Sequence, residues 1–129
     1  MTNTGFRYLG NRVTEPIKEL DTFRAPFGLS RVVFESDELT SRCPVTSQPD
    51  FYHIYIEYTP WELCIESKSL KLYLMSFRAT AQFAEVLAVE IAEHLQNTII
   101  AKRIHVELRQ QVRGGLQLTA SAGFHLEGE

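Results

Sequence analysis

The sequence has little of what marks several large classes of protein. Its two cysteines, Cys43 and Cys64, are too few for a disulfide framework or a four-cysteine zinc site. No apolar run approaches the roughly 18–20 residues that span a bilayer, and the first residues lack the apolar centre of a signal peptide. No G-x-G-x-x-G fingerprint occurs, so a Rossmann dinucleotide site is not predicted. These absences favour a cytoplasmic protein that binds no membrane.

Neither sign of charge dominates the chain. It carries 13 basic and 16 acidic residues, a net charge of −3, and no block of like charge stands out. Direct binding to nucleic acid is therefore not expected. The length of 129 residues, with 44% hydrophobic and 22% charged residues, predicts one domain over 1–129 with an ordinary buried core.

The order of the periodic segments predicts the fold class. Strands are expected over residues 27–34, 51–58, 61–65, 103–111 and 116–122. Apolar residues at helical spacing predict helices over 67–78 and 83–96. Residues 1–26 read as an N-terminal arm, with a short turn of helix at 17–23, and the polar segment 35–50 reads as a loop. The result is an α+β layer: a four-stranded, mostly antiparallel sheet with two helices on one face. Its open edges favour association of copies of the chain.

Cys43, in the predicted loop, is the first candidate for chemistry. A reactive cysteine needs exposure and surroundings that favour the thiolate, and the adjacent Arg42 is a candidate for lowering its pKa. Asp50 follows seven residues later, so the loop can return its carboxyl to the sulfur. A thiol beside a carboxyl proton donor suits addition to an unsaturated carbon, because the product anion is protonated as it forms. The alternative is a loop cysteine without chemistry and an aspartate that caps a turn.

Two glutamates are candidates for binding a base. Glu66 is expected just before the first helix, and Glu85 in the first turn of the second. A carboxylate accepts side-by-side N–H donors, such as the ring N–H and exocyclic amine of a guanine-like base. The alternative for each is a helix-start carboxylate stabilised by the helix dipole.

Three cations are candidates for binding phosphate. Lys68 and Lys71 lie with backbone N–H groups at the start of the first helix, which suits an anion. The alternative is a solvated helix face capped by Ser67. Arg113, followed by two glycines, either offers a further cation or simply begins a hairpin turn.

No metal site is predicted from the histidines. The four of them lie at no metal-ligand spacing with the cysteines, and strand-face or surface roles are expected for His53, His94, His105 and His125.

Four segments, taken in order, resemble one family of enzymes. Ser41–Phe51 (SRCPVTSQPDF) resembles the nucleophile loop of the 7-cyano-7-deazaguanine reductases, the QueF family. Glu66–Arg78 (ESKSLKLYLMSFR) resembles their signature helix, followed at similar spacing by Phe83-x-Glu85 and then by Arg113-Gly114-Gly115. The resemblance covers roughly residues 27–123, and the order and spacing of the first two segments are its most specific part.

This resemblance implies a fold and a reaction. The fold is the tunnelling fold, in which subunits form rings with sites between them, so a homo-oligomer is expected. The reaction is the four-electron reduction of the nitrile of 7-cyano-7-deazaguanine to the amine of 7-aminomethyl-7-deazaguanine, a queuosine precursor. It takes place on the free base, before insertion into tRNA. Two NADPH molecules supply the hydrides, and no metal takes part.

The resemblance also implies residue roles. Cys43 would form a covalent thioimidate with the nitrile carbon, and Asp50 would protonate the nitrile nitrogen. The remaining assignments are the substrate-binding residues Ile65, Glu66, Ser67, Ala84 and Glu85, and the cofactor-binding residues Lys68, Lys71 and Arg113.

Two positions depart from the family pattern. The family has His-Glu where this chain has Ala84-Glu85, and an Asn where it has Ala79. Two other functions therefore remain open. One is a relative that transfers an amidino group onto the nitrile of a deazaguanine already in tRNA, which is expected to lack the segment ESKSLK and to have a basic surface. The other is a non-catalytic protein that binds the base through Glu85 and has no need of a reactive cysteine.

Overall fold

A computed structural model describes residues 19–126, with six strands and two helices. In chain order they are β1 (Thr22–Arg24), β2 (Val32–Arg42), β3 (Pro49–Thr59), β4 (Leu63–Ile65), α1 (Ser67–Met75), α2 (Ala84–Ile99), β5 (Arg103–Gln110) and β6 (Thr119–His125).

The main sheet has the strand order β2-β3-β5-β6, and each neighbouring pair is antiparallel. The hairpin of β2 and β3 contributes its longest strands, and Ser41 lies opposite Asp50 near the turn. A register shift between Ser36 and Leu39 interrupts this pairing. The two short strands β1 and β4 form a separate antiparallel ribbon. The predicted α+β class and antiparallel sheet are confirmed.

Both helices cover one face of the main sheet. Alternate residues of the two central strands are buried on that face: Tyr52, Ile54, Ile56, Tyr58, Ile104, Val106 and Leu108. The apolar side of α2 packs on them through Leu87, Ile91 and Leu95, which are fully buried. Burial of this kind is worth about 1.5–3 kcal/mol for each large side chain, so the core holds the hairpin rigidly against the helices.

The opposite face of the sheet is polar. There His53 lies between two carboxylates of β2, with Nδ1 2.7 Å from Asp37 and Nε2 2.9 Å from Glu35. These contacts raise the pKa of His53, chiefly through the hydrogen bond that it donates to Asp37. On the same face, the Arg31 guanidinium lies 2.8 Å from Glu57.

Glu66 immediately precedes helix α1, and its side chain caps the helix. Both carboxylate oxygens accept backbone N–H groups, from Lys68 at 2.8 Å and from Ser69 at 2.8 Å. The alternative that made Ser67 the cap is wrong, because Ser67 is already the first helical residue. The hydroxyl of Ser69 accepts the backbone N–H of Asp21, which ties the β1 segment to the start of this helix.

The segment between the helices runs beside the end of β2. Arg42 N–H donates to the carbonyl of Thr80 at 2.8 Å, and Gln82 N–H donates to the carbonyl of Arg42 at 3.0 Å. These two bonds fix the first turn of α2, which contains Glu85, next to the turn of the β2–β3 hairpin.

The predicted loop over 35–50 is much shorter in the structure. Strand β2 begins at Val32 rather than 27 and continues to Arg42, so only residues 43–48 connect it to β3. The polar run that suggested a loop belongs to an edge strand of the sheet, where exposed charged residues and a bulge limit pairing with other chains.

Several other helices and strands begin or end at residues that differ from those predicted. Helix α1 ends at Met75 and α2 runs on to Ile99, while the last strand begins at Thr119 and reaches His125. The short returning strand pairs with β1 outside the main sheet. Of the predicted N-terminal arm, residues 22–24 form a strand rather than a helical turn, and residues 1–18 lie outside the described part of the chain.

Candidate active site

Cys43 lies at the start of the tight turn that joins β2 to β3. Its backbone N–H donates to the carbonyl of Gln48 at 2.9 Å, and its carbonyl accepts the N–H of Ser47 at 2.9 Å. Ser47 adopts a left-handed conformation with φ 63°, which lets the chain reverse direction. The turn leaves Cys43 partly exposed, as a reactive thiol requires.

The surroundings of this sulfur favour the thiolate. The pKa of Cys43 is lowered, first by a hydrogen bond from the Thr46 hydroxyl and then by the backbone N–H groups of Thr46 and Val45. The positive charge of Arg113 acts in the same direction. The expected cation, Arg42, instead donates from Nη1 to the carbonyl of Ser47 at 3.0 Å. The cation that acts on the thiol therefore comes from a distant part of the sequence.

Asp50 is buried on the same side of the hairpin. It is 4% exposed, and it pairs across the hairpin with Ser41. Ser41 precedes Cys43 by two residues. Its Oδ1 forms an ion pair with Nη1 of Arg113. Cys43 and Asp50 therefore lie at the same end of the β2–β3 hairpin, and Arg113 is near both. Their roles in chemistry stay a prediction.

Tyr52 joins this group, although the sequence did not indicate it as a site residue. Tyr52 is 2% exposed and follows Asp50 by two residues, so both side chains lie on the helix-facing side of the sheet. The hydroxyl of Ser41 donates to Tyr52 Oη at 3.4 Å, which places that oxygen at the level of Asp50. Burial raises the pKa of Tyr52, and Glu85 and Cys43 add to the effect. The spacing of two residues from Asp50 was the available signal.

Glu85 lies in the first turn of α2 and is exposed. Its influence on Tyr52 places it on the same side of the molecule as Cys43. Within the described chain, its carboxylate accepts no hydrogen bond from the protein, so it is open to a ligand. The preceding Ala84 is 4% exposed and belongs to the core, whereas Ala79 is exposed.

The other predicted site residues form a second group at the start of α1. Ile65 and Glu66 are buried there, and Ser67 and Lys71 line a cavity of about 260 Å³ between α1 and the strands β2 and β3. Lys68 is half-buried and Lys71 exposed in the first turns of the helix.

The two groups are far apart within one chain. Glu38 is the cavity residue nearest to Cys43 along β2, and it precedes Cys43 by five residues of nearly extended chain. At about 3.3 Å per residue this is a separation of roughly 17 Å. A single heterocycle does not bridge that distance, so one chain does not bring all the predicted site residues together.

No histidine contributes to the chemistry around Cys43. His53 is on the other face of the sheet, His94 packs edge-on against Tyr73 with ring centroids 4.9 Å apart, and His105 lies near Glu107. Over residues 19–126, no cluster of three or more metal-ligating side chains is present. None of the helices in that range has the length and apolar character of a membrane span.

Fold and site together define an α+β protein with a partly exposed cysteine in the turn after β2 and a buried, ion-paired carboxylate near the start of β3. The family model described as QueF-like protein matches residues 49–127. An NADPH-dependent 7-cyano-7-deazaguanine reductase from Alkalilimnicola ehrlichii is 40% identical over 117 residues, covering 89% of this chain and 91% of that protein. The protein of the same name from Frankia casuarinae is 36% identical over 119 residues, covering 92% and 95%. This chain belongs to the QueF family.

A solved structure supports the fold. The apo form of the archaeosine synthase QueF-Like superposes with a TM-score of 0.70 at 21% sequence identity, covering 78% of this chain and 95% of that one. At this identity the likeness establishes the shared architecture alone.

Proposed function

We propose that this protein is an NADPH-dependent reductase that converts the nitrile of 7-cyano-7-deazaguanine to an aminomethyl group. The observation that carries the proposal is a partly exposed Cys43 with a lowered pKa and a buried Asp50 in the same hairpin, in a chain of this family. Neither binding a base nor packing the fold needs that pair.

The first step is addition of the thiol to the nitrile. The Cys43 thiolate attacks the nitrile carbon, a C–S bond forms, and one π pair of the triple bond moves to nitrogen. Asp50 gives that nitrogen a proton, which completes the thioimidate. Two molecules of NADPH would supply the two hydrides of the four-electron reduction. After the first hydride the thiolate would leave and an imine would form, and the second hydride would reduce that imine to the amine.

Glu85 is the proposed anchor for the base. Its exposed carboxylate has room for two N–H donors from the edge of a deazaguanine. The residue before Glu85 offers the substrate no polar group, because it is an alanine, Ala84, and it is buried in the core. Burial raises the pKa of Tyr52, and Glu85 and Cys43 both add to this effect, so its hydroxyl is a further polar group available to the substrate.

We also propose that a complete site needs two copies of the chain. The cavity beside Glu66 and Ser67 lies roughly 17 Å from Cys43 along β2. If both groups contact one base, they must come from different subunits, which agrees with the ring-forming homo-oligomer expected from the sequence. Ile65, Glu66 and Ser67 of one copy would then contact the base held at Cys43 of the next.

The start of α1 suits the phosphates of the cofactor. Lys68 and Lys71 stand in the first turns of the helix, where the dipole adds to their charge. Arg113 fits this role less well, because its guanidinium is paired with Asp50.

Adduct formation with the nitrile is the test. Mixing the protein with 7-cyano-7-deazaguanine is expected to produce a thioimidate absorbance and a mass increase on Cys43, and adding NADPH is expected to consume both. C43A should abolish the adduct but keep most of the affinity for the base. C64A is the matched control, because Cys64 is buried, with a pKa raised by burial, and should leave the adduct in place.

Other outcomes identify the other functions. An adduct that never consumes NADPH would favour altered chemistry, such as amidino transfer, and the buried Ala84 in place of a histidine is the feature that supports this alternative. Binding without an adduct would favour a protein that only binds the base. Turnover by C43A would show that the nucleophile is assigned wrongly.

A further inference from the structure

One end of the molecule exposes two large aromatic side chains. The turn before β2 and the turn between β3 and β4 meet there, and the N–H of Ala25 holds them together by donating to the carbonyl of Glu62 at 2.9 Å. Phe27 is fully exposed and Trp61 is 55% exposed. A cavity of about 540 Å³ lies between the turns, lined by residues 24–30, 59–62 and 102, which we call the aromatic end. Exposed aromatic side chains grouped around a cavity indicate an interaction surface.

The turn that carries Phe27 is held in one conformation. The N–H of Leu29 donates to the carbonyl of Pro26 at 3.3 Å, and Gly28 adopts φ 94°, the left-handed conformation that glycine takes in such a turn. A ring held in place before binding loses little conformational freedom when a partner covers it. The turn therefore presents the phenyl ring to solvent in a form ready to bind.

The aromatic end carries both signs of charge. Arg24 and Lys102 are its cations and Glu62 is its anion, and all three are exposed. Among residues 19–126, the side chains of these three residues form no ion pair and no hydrogen bond. A surface that holds unpaired charges of both signs is complementary to a second copy of itself, because the anion of one copy can face the cations of the other.

We propose that the aromatic end binds the aromatic end of a second copy about a two-fold axis, with Phe27 of each copy entering the cavity of the other. Such a contact requires the inserted group and the cavity to lie on one surface, and they do. A cavity of about 150 Å³ already admits benzene, so a cavity of about 540 Å³ has room for a phenyl ring.

This contact is distinct from the one proposed to complete the site. The aromatic end includes Thr59, the last residue of β3, whereas the turn of Cys43 precedes Pro49, the first. Ten residues of extended strand separate these two ends, a distance of roughly 33 Å. The inference therefore goes beyond the proposed function and does not rest on it.

The size of the surface predicts a weak contact. Twelve residues line the aromatic end, whereas a standard interface takes about 20–30 residues from each partner. Pairing of two single copies should therefore depend on protein concentration. Copies that are already joined through other surfaces would present several such contacts together, which strengthens the pairing.

The test is the fluorescence of Trp61, which is the only tryptophan in the chain and therefore reports on this surface. As the wild type is concentrated from about 0.1 to about 100 μM, the emission should move to shorter wavelength because the indole loses water. F27A should raise the midpoint of this change by about thirtyfold or more, since each pair of copies loses two buried rings. If the wild type is already paired at the lowest concentration, F27A should show a longer emission wavelength there.

F51A is the matched control, since it also removes an exposed phenyl ring. Phe51 is 48% exposed and lies eight residues before Thr59 on β3, outside the aromatic end. The emission of F51A should follow that of the wild type at every concentration. Sedimentation should show that F27A forms assemblies of half the wild-type mass, whatever number of copies the other surfaces join.

Exchange of charges tests the choice of a second copy as the partner. R24E/K102E has only acidic side chains at the aromatic end and E62K has only basic ones, so each alone should pair less than the wild type. An equal mixture of the two should restore the change in Trp61 emission. A mixture that behaves like its separate components would contradict the proposal.

Three other results would overturn the proposal. The first is the emission of an exposed tryptophan at all wild-type concentrations, and the second is an F27A protein that behaves like the wild type, with its fold checked by far-UV circular dichroism. The third is a short emission wavelength that does not depend on concentration and is lost when residues 1–18 are removed, which would make that segment the occupant.

The outcome is separable from that of the proposed reductase. If the nitrile gives no adduct while Trp61 reports pairing that F27A weakens, the contact stands and the reductase does not. If the adduct forms on Cys43 while Trp61 stays exposed at all concentrations, the reductase stands and the contact does not.

Discussion

Replacing Glu66 by alanine tests whether its carboxylate supports the fold as a helix cap. Glu66 is 5% exposed, and its two oxygens accept the N–H groups of Lys68 and Ser69 at 2.8 Å each. The hydroxyl of Ser69 donates to the Glu66 carbonyl at 2.9 Å and connects this turn to the β1 segment. Alanine at this position leaves two N–H groups without a partner in a largely buried place.

The expected loss of stability follows from those two bonds. A side-chain N-cap contributes typically about 1 kcal/mol and at most about 2, and bonds to an ionised, buried acceptor are the stronger kind. For E66A we expect a loss of roughly 2 kcal/mol in the free energy of unfolding, the upper end for a side-chain cap. At about 4 °C per kcal/mol for a chain of this size, the Tm should fall by roughly 8 °C. E66Q, which keeps one acceptor oxygen, should lose about half as much.

Urea unfolding followed by far-UV circular dichroism measures this effect, with all variants at one protein concentration because association changes apparent stability. E62A is the control, since Glu62 is an exposed glutamate just before β4. An E66A protein within about 0.5 kcal/mol of the wild type would refute the capping argument. A larger loss for E66Q than for E66A would also contradict it.

Three further predictions concern other parts of the molecule. Y73F should be neutral or stabilising by about 1 kcal/mol in urea unfolding, because the hydroxyl of Tyr73 is buried without a partner in the described chain; a clear loss would contradict this. G123A should lose about 1–3 kcal/mol, because a Cβ on Gly123 would lie 2.8 Å from the backbone carbonyl of Ile104, and stability equal to the wild type would show that this contact relaxes freely. The raised pKa of His53 means that its contribution to stability is fully present below pH 6.5 or so and is lost as the pH rises through the folded-state pKa. The difference in stability between wild type and H53Q should therefore be larger at pH 6 than at pH 9, and a constant difference would contradict the assignment.

The sequence predicted the sheet and helices where a periodic pattern reflects burial. Alternation from Tyr52 to Tyr58 identified β3 because that strand is central and one face is fully buried. It did not identify residues 35–42 as strand, because β2 is an edge strand whose exposed residues are polar on both sides of a bulge. Local pattern does not reveal which strand of a sheet lies at its edge.

The placement of Cys43 and Asp50 at the same end of one hairpin was predictable because the two residues are close in sequence. Both residues belong to one hairpin, and a short turn returns one to the other. The contribution of Arg113 to this pair was not predictable, since it depends on the packing of the β5–β6 turn beside the hairpin. The adjacent Arg42 was the reasonable expectation from sequence, yet neighbours along a strand point to opposite faces.

Glu66 and Glu85 look alike in the sequence, because each is a carboxylate at the start of a predicted helix. They differ in their position relative to the first helical residue, and this difference decides which groups each carboxylate can bind. Glu66 stands before its helix, where an extended backbone lets the side chain turn back onto the first N–H groups. Glu85 is already inside its helix, and its carboxylate projects away from those groups into solvent. A base that binds Glu66 must share oxygens that two backbone donors already occupy, whereas a base that binds Glu85 displaces only water. We therefore expect E85Q to weaken binding of 7-cyano-7-deazaguanine to C43A protein more than E66Q does, as measured by calorimetry. The reverse order would mean that the recognition edge is assigned to the wrong glutamate.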